Sequence, residues 1–133
     1  YKSSDFEAEV MKLTDGKGVD VTYDSVGNDT MARSLTSTRR HGTIIAFGQS
    51  SGPYLDFKIT DLAKGSYKLS RPTLFHFVAE REWLEASAAK LFTAVTDGML
   101  NISINQKYAL EDVAKAHDAL TGRATTGSTV LTV

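Results

Sequence analysis

The sequence predicts an α/β protein built on part of a doubly wound parallel sheet. Its run Thr43 to Phe47 is apolar at nearly every position, which is typical of a strand covered on both faces of a parallel sheet. Predicted strands and helices alternate along the chain, the order expected for right-handed crossover connections. Small residues follow two successive strands, at 24–27 and 48–52, so a ligand crevice is expected where these strands end.

The first helix and strand have clear local signals. Ser4 followed by Glu7 is typical of a capping box, and the apolar residues that follow recur at helical spacing until Gly16. Val19 to Tyr23 then alternates apolar and polar residues, which predicts a short strand.

The second helix is predicted to start at Asn28 or Asp29, either of which can cap it. Its last turn would hold the cations of Arg39 to His41, where they suit the helix dipole, and Gly42 would stop it. The strand Thr43 to Phe47 would follow.

The remaining elements are predicted from hydrophobic periodicity and from glycines that end helices. They are a short helix at 58–64, a strand at 67–70, a helix at 79–96, a strand at 100–104, a helix at 110–120 and a strand at 129–133. Pro72 makes the strand at 67–70 short or places it at a sheet edge, and an edge strand can pair with another chain.

Composition excludes several classes of function. Lys and Arg number 15 against 16 Asp and Glu, without a block of like charge, so no nucleic acid or membrane partner is expected. The absence of Cys excludes disulfides, thiolate zinc sites and a Cys nucleophile in this stretch, and it is compatible with a cytoplasmic location. Because the chain opens with Tyr1 and lacks an initiator Met, we expect a piece of a longer protein.

Few residues here predict chemistry by themselves. The three His are scattered without metal-ligand spacing, and no Ser has a visible His and acid partner, so we expect neither a metal site nor a catalytic residue. Asp24 could orient a ligand, although capping its own turn is the simpler role. Arg123, in a loop between Gly122 and Gly127, could bind a phosphate or could be merely solvated. No GxGxxG or P-loop motif is present.

Four segments, taken together and in order, resemble the zinc-free NADPH:quinone oxidoreductases of the medium-chain dehydrogenase/reductase superfamily, the zeta-crystallin-like branch. The segments are TyrAspSerValGly at 23–27, ThrIleIleAlaPheGlyGlnSerSerGly at 43–52, SerArgProThrLeu at 70–74 and AlaHisAspAlaLeuThrGlyArgAlaThrThrGly at 116–127. The resemblance spans essentially the whole chain and corresponds to the carboxyl-terminal part of such an enzyme.

The resemblance implies a set of NADPH contacts. Tyr1 matches a tyrosine near the adenosine 2′-phosphate, and Arg123 matches a second phosphate contact. The loop after the first strand would pass the dinucleotide, and the loop after the second would approach the nicotinamide. The implied cofactor-binding residues are Tyr1, Ser25, Val26, Gly27, Phe47, Gly48, Gln49, Ser50 and Arg123.

The resemblance also implies a domain organisation. Residues 1–98 would be the second part of an NADP-binding Rossmann-like domain, and 99–133 a C-terminal strand-helix-strand segment that packs back on the substrate domain. The family's glycine-rich pyrophosphate turn, its 2′-phosphate lysine and its substrate domain have no counterpart in this chain. Negligible NADPH affinity and no turnover are therefore expected of the 133 residues alone.

For the full-length parent, the resemblance implies hydride transfer from NADPH to a quinone or enone, with the cofactor performing the redox step. It further implies a cytoplasmic homodimer joined through the edge strand Ser66 to Arg71. Two alternatives stay open. One is an enoyl or other alkene reductase of the same superfamily, and the other is a non-catalytic dimerisation module held by the Tyr67 to Leu69 strand and the Leu84 to Val95 helix.

Overall fold

The computed structural model describes residues 4–133, which fall into two compact units, one ending at His76 and the other comprising Phe77–Val133. The first unit contains α1 (Phe6–Leu13), β1 (Val19–Asp24), α2 (Met31–Thr36), β2 (Thr38–Ala46), a 3₁₀ helix (Ile59–Lys64) and β3 (Lys68–Ser70). A short helix, α3 (Leu74–Phe77), lies at the division. The second unit contains α4 (Arg81–Thr96), β4 (Ile104–Ala109), a 3₁₀ turn (Leu110–Asp112), α5 (Val113–Thr121) and β5 (Ser128–Thr132).

The first unit is organised around a three-stranded parallel sheet in the order β1-β2-β3. The register pairs Asp24 with Ala46 and Ile44 with Leu69. The parallel strands and their helical connections confirm the predicted α/β class. Because Asp24 and Ala46 are the last residues of their strands, β1 and β2 end at the same edge of the sheet.

The core of this unit lies between α2 and one face of the sheet. Ile44 is fully buried, and Ala46, Met31 and Leu35 pack with it. Ile45, whose side chain points to the opposite face because strand residues alternate, is only half-buried. The apolar run therefore predicted the strand correctly. The expectation that other elements cover both faces of the strand went too far, because only the face towards α2 is fully buried.

The predicted boundary between α2 and β2 was wrong. α2 ends at Thr36, and β2 begins at Thr38, so residues 39–41 lie in the strand rather than in the last helical turn. The register shifts between Val19 and Val21, whose partners are Thr38 and Thr43, so β2 carries extra residues opposite β1. A bulge of this kind leaves no period in the sequence, whereas a run of cations before a glycine is typical of a helix end.

The first helix also begins differently from the prediction. Its N-cap is Asp5 rather than Ser4, and the Asp5 carboxylate accepts a hydrogen bond from the Ala8 backbone N–H at 3.3 Å. Asp and Ser are similarly good caps, so composition alone did not separate these neighbours.

In the second unit, β4 and β5 form a parallel pair connected through α5, which confirms the predicted strand-helix-strand segment. The predicted strand at 100–104 was misplaced, since β4 starts at Ile104. Leu100 instead donates its backbone N–H to the Ala94 carbonyl at 2.9 Å, closing the end of α4. The predicted domain boundary between residues 98 and 99 is a different division from the two compact units and remains a prediction.

Among residues 4–133, no helix combines the length and the apolar character needed to cross a membrane.

Candidate functional site

The loops that leave β1 and β2 are hydrogen-bonded to each other along their length. Ser50 N–H donates to the Ser25 carbonyl at 3.2 Å, and Ser51 N–H donates to the Val26 carbonyl at 2.8 Å. The Asn28 N–H donates to the Gly52 carbonyl at 3.0 Å. The structure thus brings together the two loops that the sequence singled out. They form one continuous wall at the carboxyl edge of the sheet.

Two glycines permit this close pairing. A Cβ atom at Gly48 would lie 2.5 Å from the Ser25 carbonyl oxygen, and one at Gly27 would lie 2.5 Å from the Gly52 carbonyl oxygen. Gly27 also has φ of +88°, which disfavours any L side chain. Within the first unit these glycines therefore serve loop-to-loop packing, in addition to any ligand approach.

A cavity of about 260 Å³ opens beside the paired loops. Its walls combine glycine, apolar and aromatic residues with two polar side chains, those of Gln49 and Arg71. The lining residues are Gly27, Met31, Ala46, Gly48, Gln49, Pro53, Tyr54, Phe57, Leu69 and Arg71. We refer to it as the loop cavity.

A second cavity, of about 210 Å³, lies against the other part of the β1 loop. It is lined by Phe6, Thr22, Tyr23, Asp24, Ser25, Val26, Thr30 and Ser34. The segment Ser25–Gly27 therefore borders two cavities, with Gly27 on the first and Ser25 and Val26 on the second.

Asp24 is a buried acid at the end of β1, with 3% of its surface exposed. Its carboxylate accepts hydrogen bonds from the backbone N–H groups of Val26 and Gly27, both at 2.9 Å. It also accepts from the hydroxyls of Thr30, at 2.9 and 3.0 Å, and Ser34, at 2.6 Å. Asp24 thus caps the turn, the simpler of the two roles considered from sequence.

Two opposing effects act on the pKa of Asp24. Burial is the largest and raises the pKa, because it disfavours the charged form. The hydrogen bonds from Ser34, Gly27, Val26 and Thr30 favour the carboxylate, and together they leave the pKa below its ordinary value. At neutral pH the group is ionised, so it is not a proton donor.

The other sequence-predicted residues are placed as follows. Phe47 is 52% exposed, and Ser25, Gln49 and Ser50 are also exposed at the loop surface, as a ligand-facing wall requires. Arg123 belongs to the second unit, where it follows α5 with φ of +57° and donates its backbone N–H to Leu120 at 3.0 Å. Tyr1 lies outside the described residues.

Sequence reasoning missed Arg71 as a site residue and considered it only as part of an edge strand. Arg71 directly follows the last residue of β3, so it occupies a third strand exit at the same edge of the sheet. The rule that identified the first two exits applies to it equally. Tyr54 and Phe57 were missed because they lie in a connection without periodicity, where nothing predicts the direction of a side chain.

The residues around the loop cavity have the character of a small-molecule binding site. Among residues 4–133, no group of three or more His, Asp or Glu side chains is placed to hold a metal ion, and the sequence has no Cys. The loop cavity instead offers apolar and aromatic walls with few polar groups, which is typical of sites for flat organic ligands.

Comparisons with known proteins give a consistent result. A sequence model of the family described as zinc-binding dehydrogenase matches residues 1–131. The chain is 42% identical over 132 residues to a quinone oxidoreductase of Pseudomonas aeruginosa, covering 98% of this chain and 41% of that protein. It is 39% identical to a 2-haloacrylate reductase of Burkholderia sp, covering 98% of this chain and 40% of the relative.

The fold agrees with a solved structure as well. The crystal structure of Escherichia coli quinone oxidoreductase complexed with NADPH superposes with a TM-score of 0.90 at 37% identity, covering all of this chain and 42% of that one. The chain therefore spans about two fifths of the length of the proteins that it resembles.

Proposed function

Because the chain belongs to the zinc-binding dehydrogenase family, we propose that it is the carboxyl-terminal part of an NADPH-dependent oxidoreductase that passes hydride to a quinone-type acceptor. The observation that carries this proposal is the wall formed by the two hydrogen-bonded loops beside the loop cavity. The similarity to quinone oxidoreductases from two bacteria, one of them solved with NADPH, supports it.

The loop cavity fits one end of a dinucleotide. Its volume, about 260 Å³, is slightly below the roughly 300–1,000 Å³ of sites that enclose a whole organic ligand. A single ring system such as nicotinamide is a suitable occupant, because the walls are apolar and aromatic while Gln49 and Arg71 offer hydrogen bonds. Bound NADPH would supply the hydride, and the protein would orient the nicotinamide and exclude water.

We propose the following cofactor contacts, which the resemblance to NADPH:quinone oxidoreductases supports. We assign Phe47, Gly48, Gln49 and Ser50 to the nicotinamide end, and Ser25, Val26 and Gly27 to the path of the dinucleotide. Tyr1 and Arg123 would bind the adenosine 2′-phosphate, to which the planar guanidinium of an arginine is well suited. No residue of this chain is assigned as catalytic.

We further propose that the enzyme works without zinc, although its family is described as zinc-binding. The cysteine-free sequence supports this proposal. Metal analysis of the purified full-length protein tests it, and a stoichiometric zinc content that is needed for turnover would contradict it. The same composition is compatible with a cytoplasmic location, which cell fractionation can test.

A homodimer joined through Ser66 to Arg71 completes the proposal. Among the described strands β3 pairs with β2 alone, so the backbone groups along its other side can pair with a second copy. Sedimentation velocity over a concentration series tests this association. A monomer that persists at the highest concentrations would count against it.

An alkene reductase is a second candidate, because the 2-haloacrylate reductase is about as similar to this chain as the quinone oxidoreductases are. NADPH oxidation by the full-length protein should be followed with a quinone, an enone and 2-haloacrylate in parallel. A higher kcat/KM for the quinone supports our assignment, and a clear preference for an alkene would replace it.

Cofactor binding is tested most directly by titration. NADPH fluorescence should show saturable binding to the full-length protein and negligible binding to the 133 residues alone, which contain no glycine-rich pyrophosphate turn. Absence of NADPH binding by the full-length protein would overturn the proposal. A third possibility, a non-catalytic dimerisation module, would then be favoured if the protein still associates.

A further inference from the structure

Asp24 is bonded to both loops of the site at once. Its backbone carbonyl accepts hydrogen bonds from the N–H groups of Phe47, at 2.9 Å, and Gly48, at 3.3 Å, which start the second loop. Its carboxylate holds the N–H groups of Val26 and Gly27 in the first loop. One residue therefore bonds to both loops at the point where they leave the sheet.

The same carboxylate ties the loops to α2. Ser34, in the middle of that helix, donates the shortest of its hydrogen bonds, 2.6 Å, and Thr30 at the N-cap position contacts both carboxylate oxygens. These donors are two backbone amides and two hydroxyls, all neutral. A buried carboxylate stabilised in this way is strongly confined, because any rotation breaks several charge-assisted hydrogen bonds without water to replace them.

We propose that Asp24 is a positioning residue that holds Ser25–Gly27 and Phe47–Gly48 in the arrangement that receives the cofactor, acting through these loops rather than by contact with the cofactor. This inference rests on the proposed function. It extends that function because Asp24, which is outside the assigned set, holds Val26 and Gly27 through its carboxylate and Phe47 and Gly48 through its backbone carbonyl. The low pKa of Asp24 agrees with a permanently ionised anchor.

The experiment uses two variants and a matched control in the full-length protein. Asp24→Asn removes the charge at constant size, and Ser34→Ala removes the shortest hydrogen bond while leaving the carboxylate in place. Ser37→Ala is the control, because Ser37 is equally buried and its hydroxyl has no hydrogen-bond partner among the described residues. All three proteins are compared by hydrogen exchange and by steady-state kinetics with NADPH.

Asp24→Asn and Ser34→Ala should each speed exchange about tenfold or more in peptides covering 24–30 and 46–52, with little change in α1, since a hydrogen bond to a charged group is lost. The KM for NADPH should rise about tenfold, while kcat at saturating NADPH changes less than about twofold. Ser37→Ala should match the wild type in both measurements. Misfolding of Asp24→Asn would leave Ser34→Ala as the deciding variant.

Other results separate the inference from the proposed function. Unchanged loop exchange in Ser34→Ala would overturn the inference, as would faster exchange with an unchanged KM, or a fall in kcat alone that follows the fraction of folded enzyme. If the wild-type protein does not bind NADPH, the proposed function fails. The exchange rates then decide whether Asp24 positions the loops.

Discussion

Ser51 donates two hydrogen bonds to the carbonyl oxygen of Val26, one from its backbone N–H at 2.8 Å and one from its hydroxyl at 2.7 Å. The same hydroxyl accepts a hydrogen bond from the Asp29 N–H at 3.0 Å. A single small side chain thus joins the β2 loop to Val26 in the β1 loop and to Asp29, which precedes the N-cap of α2. The pairing of the two loops depends on side chains as well as on backbone.

Ser51→Ala should therefore destabilise the protein by about 1–2 kcal/mol, because one part-buried and one exposed hydrogen bond of the hydroxyl are lost. Urea unfolding measures this change. Ser50→Ala is the matched control, since the contact of Ser50 with Ser25 uses only its backbone N–H. Equal effects of the two substitutions on the free energy of unfolding would show that the hydrogen bonds of the Ser51 hydroxyl do not stabilise the protein.

Gly27→Ala should cost more than about 3 kcal/mol, since the new Cβ meets a backbone carbonyl at 2.5 Å in addition to the strain of a positive φ. Gly16→Ala isolates the strain, because Gly16 has φ of +74° and nothing lies within 4 Å of its added Cβ. That control should cost about 1–2 kcal/mol. Thermal unfolding of both variants provides the comparison, and similar losses would contradict the steric argument.

The sequence predicted those parts of the fold that have a local signal. The apolar run at 43–47 and the alternation from Val19 to Tyr23 both mark real strands of the parallel sheet. The bulge near His41, where φ is +62°, was missed because it accommodates extra residues of β2 opposite β1. Neither strand shows such a shift in register when it is taken alone. The register of a strand depends on its partner strand, whereas hydrophobic periodicity is a feature of one segment alone.

The candidate site, too, could be predicted only where a local segment of the sequence carries a signal. The two loops could be predicted, since glycine and serine after consecutive parallel strands place small residues at one edge. The hydrogen bond from Ser34 to Asp24 could not, because it joins a helix to a strand end ten residues away and depends on the exact rotation of α2. Arg71 could have been found by extending the strand-exit rule to β3.

Acid should weaken the contribution of Asp24 to stability. Its pKa is lowered in the folded protein from the ordinary 3.8, so its stabilising effect is complete above about pH 4 and is lost as the pH falls towards the folded-state pKa. The stability difference between wild type and Asp24→Asn should be constant near neutral pH. Below pH 4 it should narrow by up to about 1.4 kcal/mol per pH unit.

Urea unfolding of both proteins from pH 6 to pH 2.5 measures this difference. The stability difference between the two proteins could instead stay constant over this pH range or increase in acid. Either result would show that the hydrogen bonds from Ser34, Val26 and Gly27 do not favour the ionised form of Asp24.

Arg123→Ala in the full-length protein should weaken NADPH binding by about tenfold or more, because a charge-assisted contact with the 2′-phosphate is lost. NADH lacks that phosphate, so its affinity should change less than about threefold. Arg81→Ala is a suitable control, since Arg81 is exposed on α4 and pairs with Glu85 at 2.6 Å. Fluorescence titration with both nucleotides measures the two ratios. Equal losses for NADPH and NADH would remove Arg123 from the phosphate site, because a contact to the shared part of the dinucleotide would then explain them.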